Sequence, residues 1–335
     1  MKKVKYFIKR LTNMNYKNFF ITINKVHKKN NKLKISIFLD MIWCALKYQA
    51  GYMDYWLFEM DTLNNKQRKT IVTRGKNNEI VKKYNNQEYI KYLNNKIMFN
   101  KKFNKYLKRD WMELKDNNID EFKSFINRHN HIIVKPVNLC CGKGIEIFEV
   151  NNENYKTIYN NLIDTKRTLI EEVIKERKEI AKLHPTSVNT LRLVTLNYKL
   201  VVAFLRIGNN NAVVDNFNHG GMAAPINIET GLIEYPAIDK NENLYYKHPL
   251  TNEKIKGFIV PDMMELKDYV EKLAREIPEV RYVGWDVCPT ENGPAIIEGN
   301  EFPGHDIYQL PPHRQNGIGL MPIFEEAMKS KNSKN

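Results

Sequence analysis

Apolar and polar positions change rhythm about a third of the way along the chain. From Lys34 to Lys47 the charged residues recur every six or seven positions. They leave a broad apolar surface around Ile35, Phe38, Leu39, Ile42 and Leu46, the pattern of a helix packed on one side. Two further amphipathic segments follow, near 78–93 and 96–115. Then "HIIVKPVNLCCGKGIEIFEV" switches to short β-rich runs separated by Gly, Pro and Asn. Residues 152–163 read as a helix, "RTLIEEVI" as a strand, and "NTLRLVTLNYKLVVAFLRIG" as two strands around the turn Asn197-Tyr198-Lys199. Residues 263–277 predict another helix, and "GWDVCPTENGPAIIEGN", residues 284–300, a hairpin. With no internal repeat and no low-complexity linker, the order predicts an α+β protein behind a basic, mainly helical first part.

Composition narrows the class. A chain of 335 residues, 42% hydrophobic and 11% aromatic, can bury a sizeable core in two or three units and is neither disordered nor fibrous. The net charge of +15 speaks to partners and solubility: nucleotides, anionic lipid headgroups or acidic saccharides. Many lysines adjoin asparagines, as in "KVHKKNNKLK" and "LNNKQRK", which an AT-rich coding sequence also produces. Aromatics and arginines are not interleaved in an RNP-like pattern, so no specific nucleic-acid partner is expected. The start lacks the apolar core and cleavage site of a secretory signal. "ISIFLDMIWCAL" is too short to span a bilayer and Asp40 interrupts it, so a cytoplasmic location is expected. That helix either docks on the body of the protein or lies on an anionic membrane surface. Cys44, Cys140, Cys141 and Cys288 lack zinc-pair spacing and read as reduced, mostly buried thiols.

Three constellations carry chemistry. Lys135-Pro136 precedes Cys141-Gly142-Lys143-Gly144, a fixed cation followed by glycines that let backbone N–H groups approach an anion. GxxxxGK[ST] is absent, and a glycine turn between two strands explains the stretch almost as well. Arg192 and Arg206 fall on consecutive strands inside apolar runs, where a guanidinium is costly to desolvate unless it meets an anion or a carboxylate. A salt bridge to a neighbouring acid would serve, as would a bidentate grip on phosphate. Two such arginines, with Asn216 and the Gly220-Gly221 pair after them, tip the reading toward a site. His219 beside Gly220 is a candidate to take a proton from an amine, though a lone loop histidine is more often a hydrogen-bonding residue. His184, His305 and His313 invite the same role with less to support them.

The third constellation is the hairpin, where spacing becomes geometry. A three-residue loop ending in glycine, Glu291-Asn292-Gly293, pairs Thr290 with Pro294 and, counting outward, Asp286 with Glu298. Asn300 then points to the same face. A two-residue Asn292-Gly293 turn would instead set Asp286 and Glu298 on opposite faces. In the first register two carboxylates and an amide oxygen converge. Such crowding needs a cation, and an all-oxygen set suits Mg²⁺ shared with phosphate.

Taken in order, "VKP…GKG", "LIEEVI", "NTLRLVTL", "LRIG…DNFNHGG" and "GWDV…AIIEGN" resemble the ATP-grasp superfamily. The nearest branch is the sugar-transfer-associated one; the glutamate-ligase-like members are more distant. The resemblance covers roughly residues 90–325, and "GYMDYWLFEM" is similar to the leader of the same branch. It implies an ATP-grasp fold, two α+β subdomains with ATP between them. The lid would span 94–173 and the catalytic subdomain 174–328, after a helical region 1–93 and before a tail 329–335. Lys135 would hold the α and β phosphates, with Lys96 as the second phosphate lysine and Lys101 and Lys102 as alternatives. Gly142, Lys143 and Gly144 would close over the phosphates, Glu171 and Val173 would meet adenine at the hinge, and Glu179 would meet ribose. Asp286, Glu298 and Asn300 match the ligands of two Mg²⁺ ions, with Mn²⁺ as a substitute. Arg192 and Arg206 fall where the family holds the transferred phosphate and the reacting carboxylate. The loop carrying Asn216, His219, Gly220 and Gly221 falls at the substrate.

The implied activity is an ATP-dependent carboxylate–amine ligase working through an acyl phosphate. The implied substrates are a sugar of a surface polysaccharide, small or linked to a nucleotide or lipid, and an amino acid or amine. Contact with the inner membrane surface or with glycosyltransferases would suit that role. The rival readings are a non-catalytic nucleotide-binding scaffold of a glycan-assembly complex and an ATP-dependent sugar kinase.

Overall fold

A computed structural model describes residues 14–137, 144–209, 217 and 220–330. The chain divides into two compact units, residues 1–83 with 304–335, and residues 84–303. Residues 304–328 thus group with the N-terminal helices. In the first unit lie α1 (Tyr16–Asn30), α2 (Lys34–Tyr48), α3 (Tyr52–Leu57), α4 (Asn65–Thr70) and most of α5 (Arg74–Tyr84). The second adds the short α6 (Lys91–Asn94) and α7 (Lys96–Lys102), then β1 (Trp111–Glu113), α8 (Ile119–Arg128), β2 (His131–Lys135), β3 (Glu146–Glu149), α9 (Tyr155–Asp164) and β4 (Leu169–Glu172). Its remaining elements are α10 (Lys178–Ala181), β5 (Thr190–Leu196), β6 (Lys199–Ile207), β7 (Met222–Pro225), β8 (Ala237–Ile238), β9 (Leu244–Tyr245), α11 (Met263–Leu273), β10 (Tyr282–Thr290) and β11 (Gly293–Asn300). A last helix, α12 (Met321–Lys329), belongs to the first unit.

The helix expected from Lys34 onward forms, but it docks a different face. Ile37, Met41, Cys44 and Tyr48 are buried, whereas Ile35, Leu39 and Leu46 are exposed. Because α2 is apolar on both sides, polar anchors choose the orientation. Asp40 accepts from both Nη atoms of Arg68 at 2.7 Å and from the Tyr55 hydroxyl at 2.7 Å, and the Tyr48 hydroxyl donates to Asn65 at 2.8 Å. These bonds turn Ile37, Met41 and Cys44 into the core with Phe19, Ile23, Tyr55 and Phe58. Burial pushes the Cys44 thiol up to about 12, so it stays protonated.

Two expected helices are cut short. The 78–93 segment breaks after Tyr84 because Asn85 turns its side chain to β10: Nδ2 donates to Tyr282 O at 2.7 Å, and Oδ1 accepts from Tyr282 N at 2.9 Å. The 96–115 segment stops at Lys102, and after Lys108 at φ 53 the chain extends into β1.

Two antiparallel sheets make up the second unit. The smaller has the order β1-β4-β2-β3, backed by α8 and α9 through Phe122, Phe125, Tyr159 and Leu162. The larger has the order β11-β10-β5-β6-β7-β8-β9. Its central hairpin turns on Asn197 and Tyr198, both at positive φ, as a two-residue turn matched to strand twist requires. Alternate residues of β5, β6 and β10, among them Leu191, Leu193, Leu205, Trp285 and Val287, pack into one core with α7 and α11.

Trp285 anchors that core. It is 1% exposed, its Nε1 donates to Thr195 Oγ1 at 2.9 Å, and the Phe103 ring meets it edge-on at 5.6 Å. Trp285→Ala should lower unfolding free energy by about 3–5 kcal/mol, measured by urea denaturation. A loss under about 1 kcal/mol would show that this core collapses around the cavity.

Candidate active site

Strand register alone assembles a charged strip on the face of the large sheet opposite Trp285. Directly paired residues share a face. Glu298 pairs with Asp286, Asp286 with Arg192, and Asn300 with Gly284. Arg206 pairs with Thr190, two residues from Arg192 and so on the same face. Four strands therefore bring five expected residues together: Arg192, Arg206, Asp286, Glu298 and Asn300.

The hairpin reaches this register by another route than a three-residue loop. The ladder closes at Thr290 opposite Gly293, not Pro294, around Glu291-Asn292, with Gly293 at φ 93 and the Thr290 hydroxyl donating to Gly293 O at 2.6 Å. Continued regularly, that register would set Asp286 opposite Ile297 and turn Glu298 to the core. A bulge between Asp286 and Val287 skips Ile297 and restores Asp286 to Glu298.

The cation for Asp286 comes from the neighbouring strands. Its Oδ2 accepts from Arg206 Nη1 at 2.8 Å and from Arg192 Nη2 at 3.1 Å. Arg192 Nε lies 2.5 Å from Oδ1, close but not aligned as a hydrogen bond. Gly284 makes room for that guanidinium, since a Cβ there would stand 2.9 Å from Arg192 Nη1. Burial and then the Asp286 carboxylate raise the pKa of Glu298, and Arg192 and Lys96 only partly offset them. Asn300 Nδ2 lies 3.4 Å from Glu298 Oε1. Among the described residues no three His, Cys, Asp or Glu side chains gather as metal ligands, so the candidate set is two carboxylates and an amide.

A second buried network, missed in the sequence, joins the two sheets. Glu171 on β4 accepts from Lys135 Nζ at 2.5 Å, Arg109 Nε at 2.8 Å and Asn100 Nδ2 at 2.7 Å. Arg109 also donates to Ile296 O on β11 at 2.5 Å, beside the bulge. Arg109 and Lys135 hold Glu171 well below the usual carboxylate range, although burial opposes them. The nearby Glu298 acts electrostatically on Lys135, linking this network to the strip. Lys96, Arg109, Lys135, Arg192 and Arg206 set against Glu171, Asp286 and Glu298 leave an excess of positive charge, which suits an anion.

Of the three candidate lysines, Lys96 opens α7 within electrostatic reach of Glu298, whereas Lys101 pairs outward with Glu113 at 3.1 Å. Val173 lies just beyond the β4 ladder, and Glu179 is exposed, 3.5 Å from Arg177. Gly144 has φ 71 and Gly220 φ 98, conformations that favour glycine. Gly221 directly precedes β7. Gly142, Lys143, Asn216 and His219 lie outside the described residues, as do Cys140 and Cys141. His184 is buried against the Ser187 hydroxyl at 2.7 Å, and His305 meets Asp54 at 2.9 Å within the first unit.

A family model described as sugar-transfer associated ATP-grasp matches residues 75–327. No curated protein matches the chain. Among solved structures, the chain is similar to the ATP-grasp ligase PsnB complexed with a minimal precursor, at 11% identity and TM-score 0.43, covering 73% of this chain and 63% of that one. It is similar to the D-alanine–D-alanine ligase of Bacillus anthracis at 15% identity and TM-score 0.41, covering 70% and 66%. For the D-cycloserine synthetase DcsG the values are 7% and 0.43, with 73% and 74% covered. The chain spans less than two thirds of the length of the first two proteins.

Arg109 and Glu171 side chains are both 2% exposed, so removing one leaves a charge stranded. Arg109→Ala should cost about 3 kcal/mol or more in urea denaturation, and a loss below about 1 kcal/mol would mean that Lys135 and Asn100 suffice for Glu171.

Proposed function

The chain belongs to the sugar-transfer-associated ATP-grasp family, and on that premise we propose that it is an ATP-dependent carboxylate–amine ligase. The observation that carries this reading is the strip in which one buried carboxylate, Asp286, holds two arginines beside a second, raised-pKa carboxylate, Glu298. An oxygen-rich set under like-charge strain fits a hard divalent cation. Asp286, Glu298 and Asn300 would hold Mg²⁺, two ions by family analogy. When bound, Mg²⁺ draws charge from the phosphate oxygens of ATP.

In the first step a substrate carboxylate oxygen attacks the γ-phosphorus of ATP, the bond to the β-bridging oxygen breaks, and ADP leaves. In the second an amine nitrogen attacks the acyl carbon, inorganic phosphate leaves, and the nitrogen loses a proton. The protein supplies position and charge. Arg192 and Arg206 would take the transferred phosphoryl group and the reacting carboxylate. Lys135 and Lys96 would take the remaining phosphates. Arg109 and Asn100 support this role for Lys135, because they keep Glu171 satisfied when Lys135 turns to phosphate.

Glu171 and Val173 at the end of β4 would line the adenine site, Glu179 would approach ribose, and Gly142, Lys143 and Gly144 would cover the phosphates. Asn216, His219, Gly220 and Gly221 would form the acceptor loop, with His219 receiving the amine proton. The substrate pair we propose is a sugar of a surface polysaccharide, nucleotide- or lipid-linked, and an amino acid or amine; the family's association with sugar transfer supports the sugar half of that pair. Peripheral contact with the inner membrane surface or with glycosyltransferases belongs to the same reading.

Full-length protein should bind ATP only with Mg²⁺ or Mn²⁺ and release ADP when given its substrate pair. Glu298→Gln should keep the fold, seen as an unchanged urea midpoint, and slow ADP formation by about 10²-fold or more. Undiminished turnover in that variant would remove the metal assignment. A product carrying a phosphate ester, about 80 Da heavier, would replace the ligase reading with a kinase.

A further inference from the structure

One apolar surface has no part in the chemistry above. On α2, Ile35, Leu39, Trp43 and Leu46 are 63%, 60%, 49% and 52% exposed, and Ile42 beside them is partly exposed. At about 100° per residue these positions form one stripe, roughly 180° around the helix from Ile37, Met41, Cys44 and Tyr48. The inner stripe fills the core, so the outer one is surplus to folding the unit. Exposing four large side chains along one stripe is costly in water and marks a surface that something covers.

Charge identifies the cover. Residues 1–50 hold twelve lysines and arginines against one acid, Asp40, and two of the twelve, Lys29 and Lys32, pair with Glu59 and Asp61. Asp40 is spent inside the unit on Arg68 and Tyr55. Lys34 begins α2, and Lys47 flanks the stripe with its Nζ 4.6 Å over the Trp43 ring. Protein interfaces are depleted in lysine, whereas anionic headgroups attract it and seat tryptophan at the level of the acyl boundary. With 15 residues, α2 is about 22 Å long, short of a bilayer core of about 30 Å. Among the described residues no helix is long and apolar enough to cross a membrane.

We infer that the outer stripe of α2, Ile35, Leu39, Ile42, Trp43 and Leu46, seats on an anionic lipid surface with the helix lying in the plane of the headgroups. The stripe enters the acyl boundary, and Lys34 and Lys47 of the same helix meet lipid phosphates. This gives the peripheral placement proposed above a specific surface and rests on it, but not on the ligase assignment.

Sedimentation of the full chain with vesicles tests this. The chain should pellet with phosphatidylglycerol–phosphatidylcholine vesicles and at least about tenfold more weakly with pure phosphatidylcholine. Leu39→Ser with Trp43→Ser should weaken the former by at least about tenfold, a lower bound for the loss of two buried apolar side chains, while the urea midpoint holds. Equal binding to both vesicle types, no binding, or binding unchanged in the double variant would overturn the assignment. So would lipid-free dimerisation that the double variant abolishes, which would make a second copy the occupant. ADP formation from soluble substrates, measured without vesicles, reports on the ligase reading separately.

Discussion

Asp286 is buried with two guanidinium groups on its carboxylate, and the rest of the candidate site is arranged around that contact. The contact exists because β5, β6 and β10 pair in one register. A slip of one residue in any pairing would send a charge into the Trp285 core. The apolar face thus enforces the polar one: Leu191, Leu193, Leu205 and Val287 can fill the core only if Arg192, Arg206 and Asp286 face away from it. Removing either arginine would weaken the neutralisation of Asp286, whose desolvation in isolation would be prohibitive.

Glu298 joins this arrangement by a local departure from regular pairing. The tight turn leaves β11 one residue out of step, and the bulge at Ile297 corrects it just before the second acid. Arg109 pins the same stretch, since its guanidinium binds both Ile296 O and the Glu171 carboxylate of the smaller sheet. The bulge, β4 and Lys135 are therefore held through one buried ion network. Coupling of the two sheets and orientation of Lys135 share the same side chains.

Much of this was legible in the sequence, in proportion to how local the cause was. The 3.6 period marked the helix from Lys34, and the β-rich runs marked β2, β4, β5 and β6 within a residue or two. The face that α2 docks was not legible, because both sides are apolar and the choice depends on Arg68 and Tyr55 further along the chain. The partnership of Asp286 with Glu298 was foreseen through a loop that does not form; the bulge that delivers it leaves no local signal, Ile297 being an ordinary strand residue. Arg109 escaped notice because its partner is 62 residues away and "LKRDW" looks like a solvated turn. A basic residue just before β1, the strand that pairs with β4, is the only hint it offers.

On the proposed reading, Asp286, Glu298 and Asn300 would hold a divalent cation when nucleotide binds, and Arg192 and Arg206 would turn to phosphate. Anomalous diffraction from crystals grown with Mn²⁺ and a non-hydrolysable ATP analogue tests it most directly. Mn²⁺ should lie between the Asp286, Glu298 and Asn300 side chains, with Arg192 and Arg206 turned from Asp286 to the terminal phosphate. Nucleotide bound with no Mn²⁺ on that face, and both arginines still on Asp286, would contradict it.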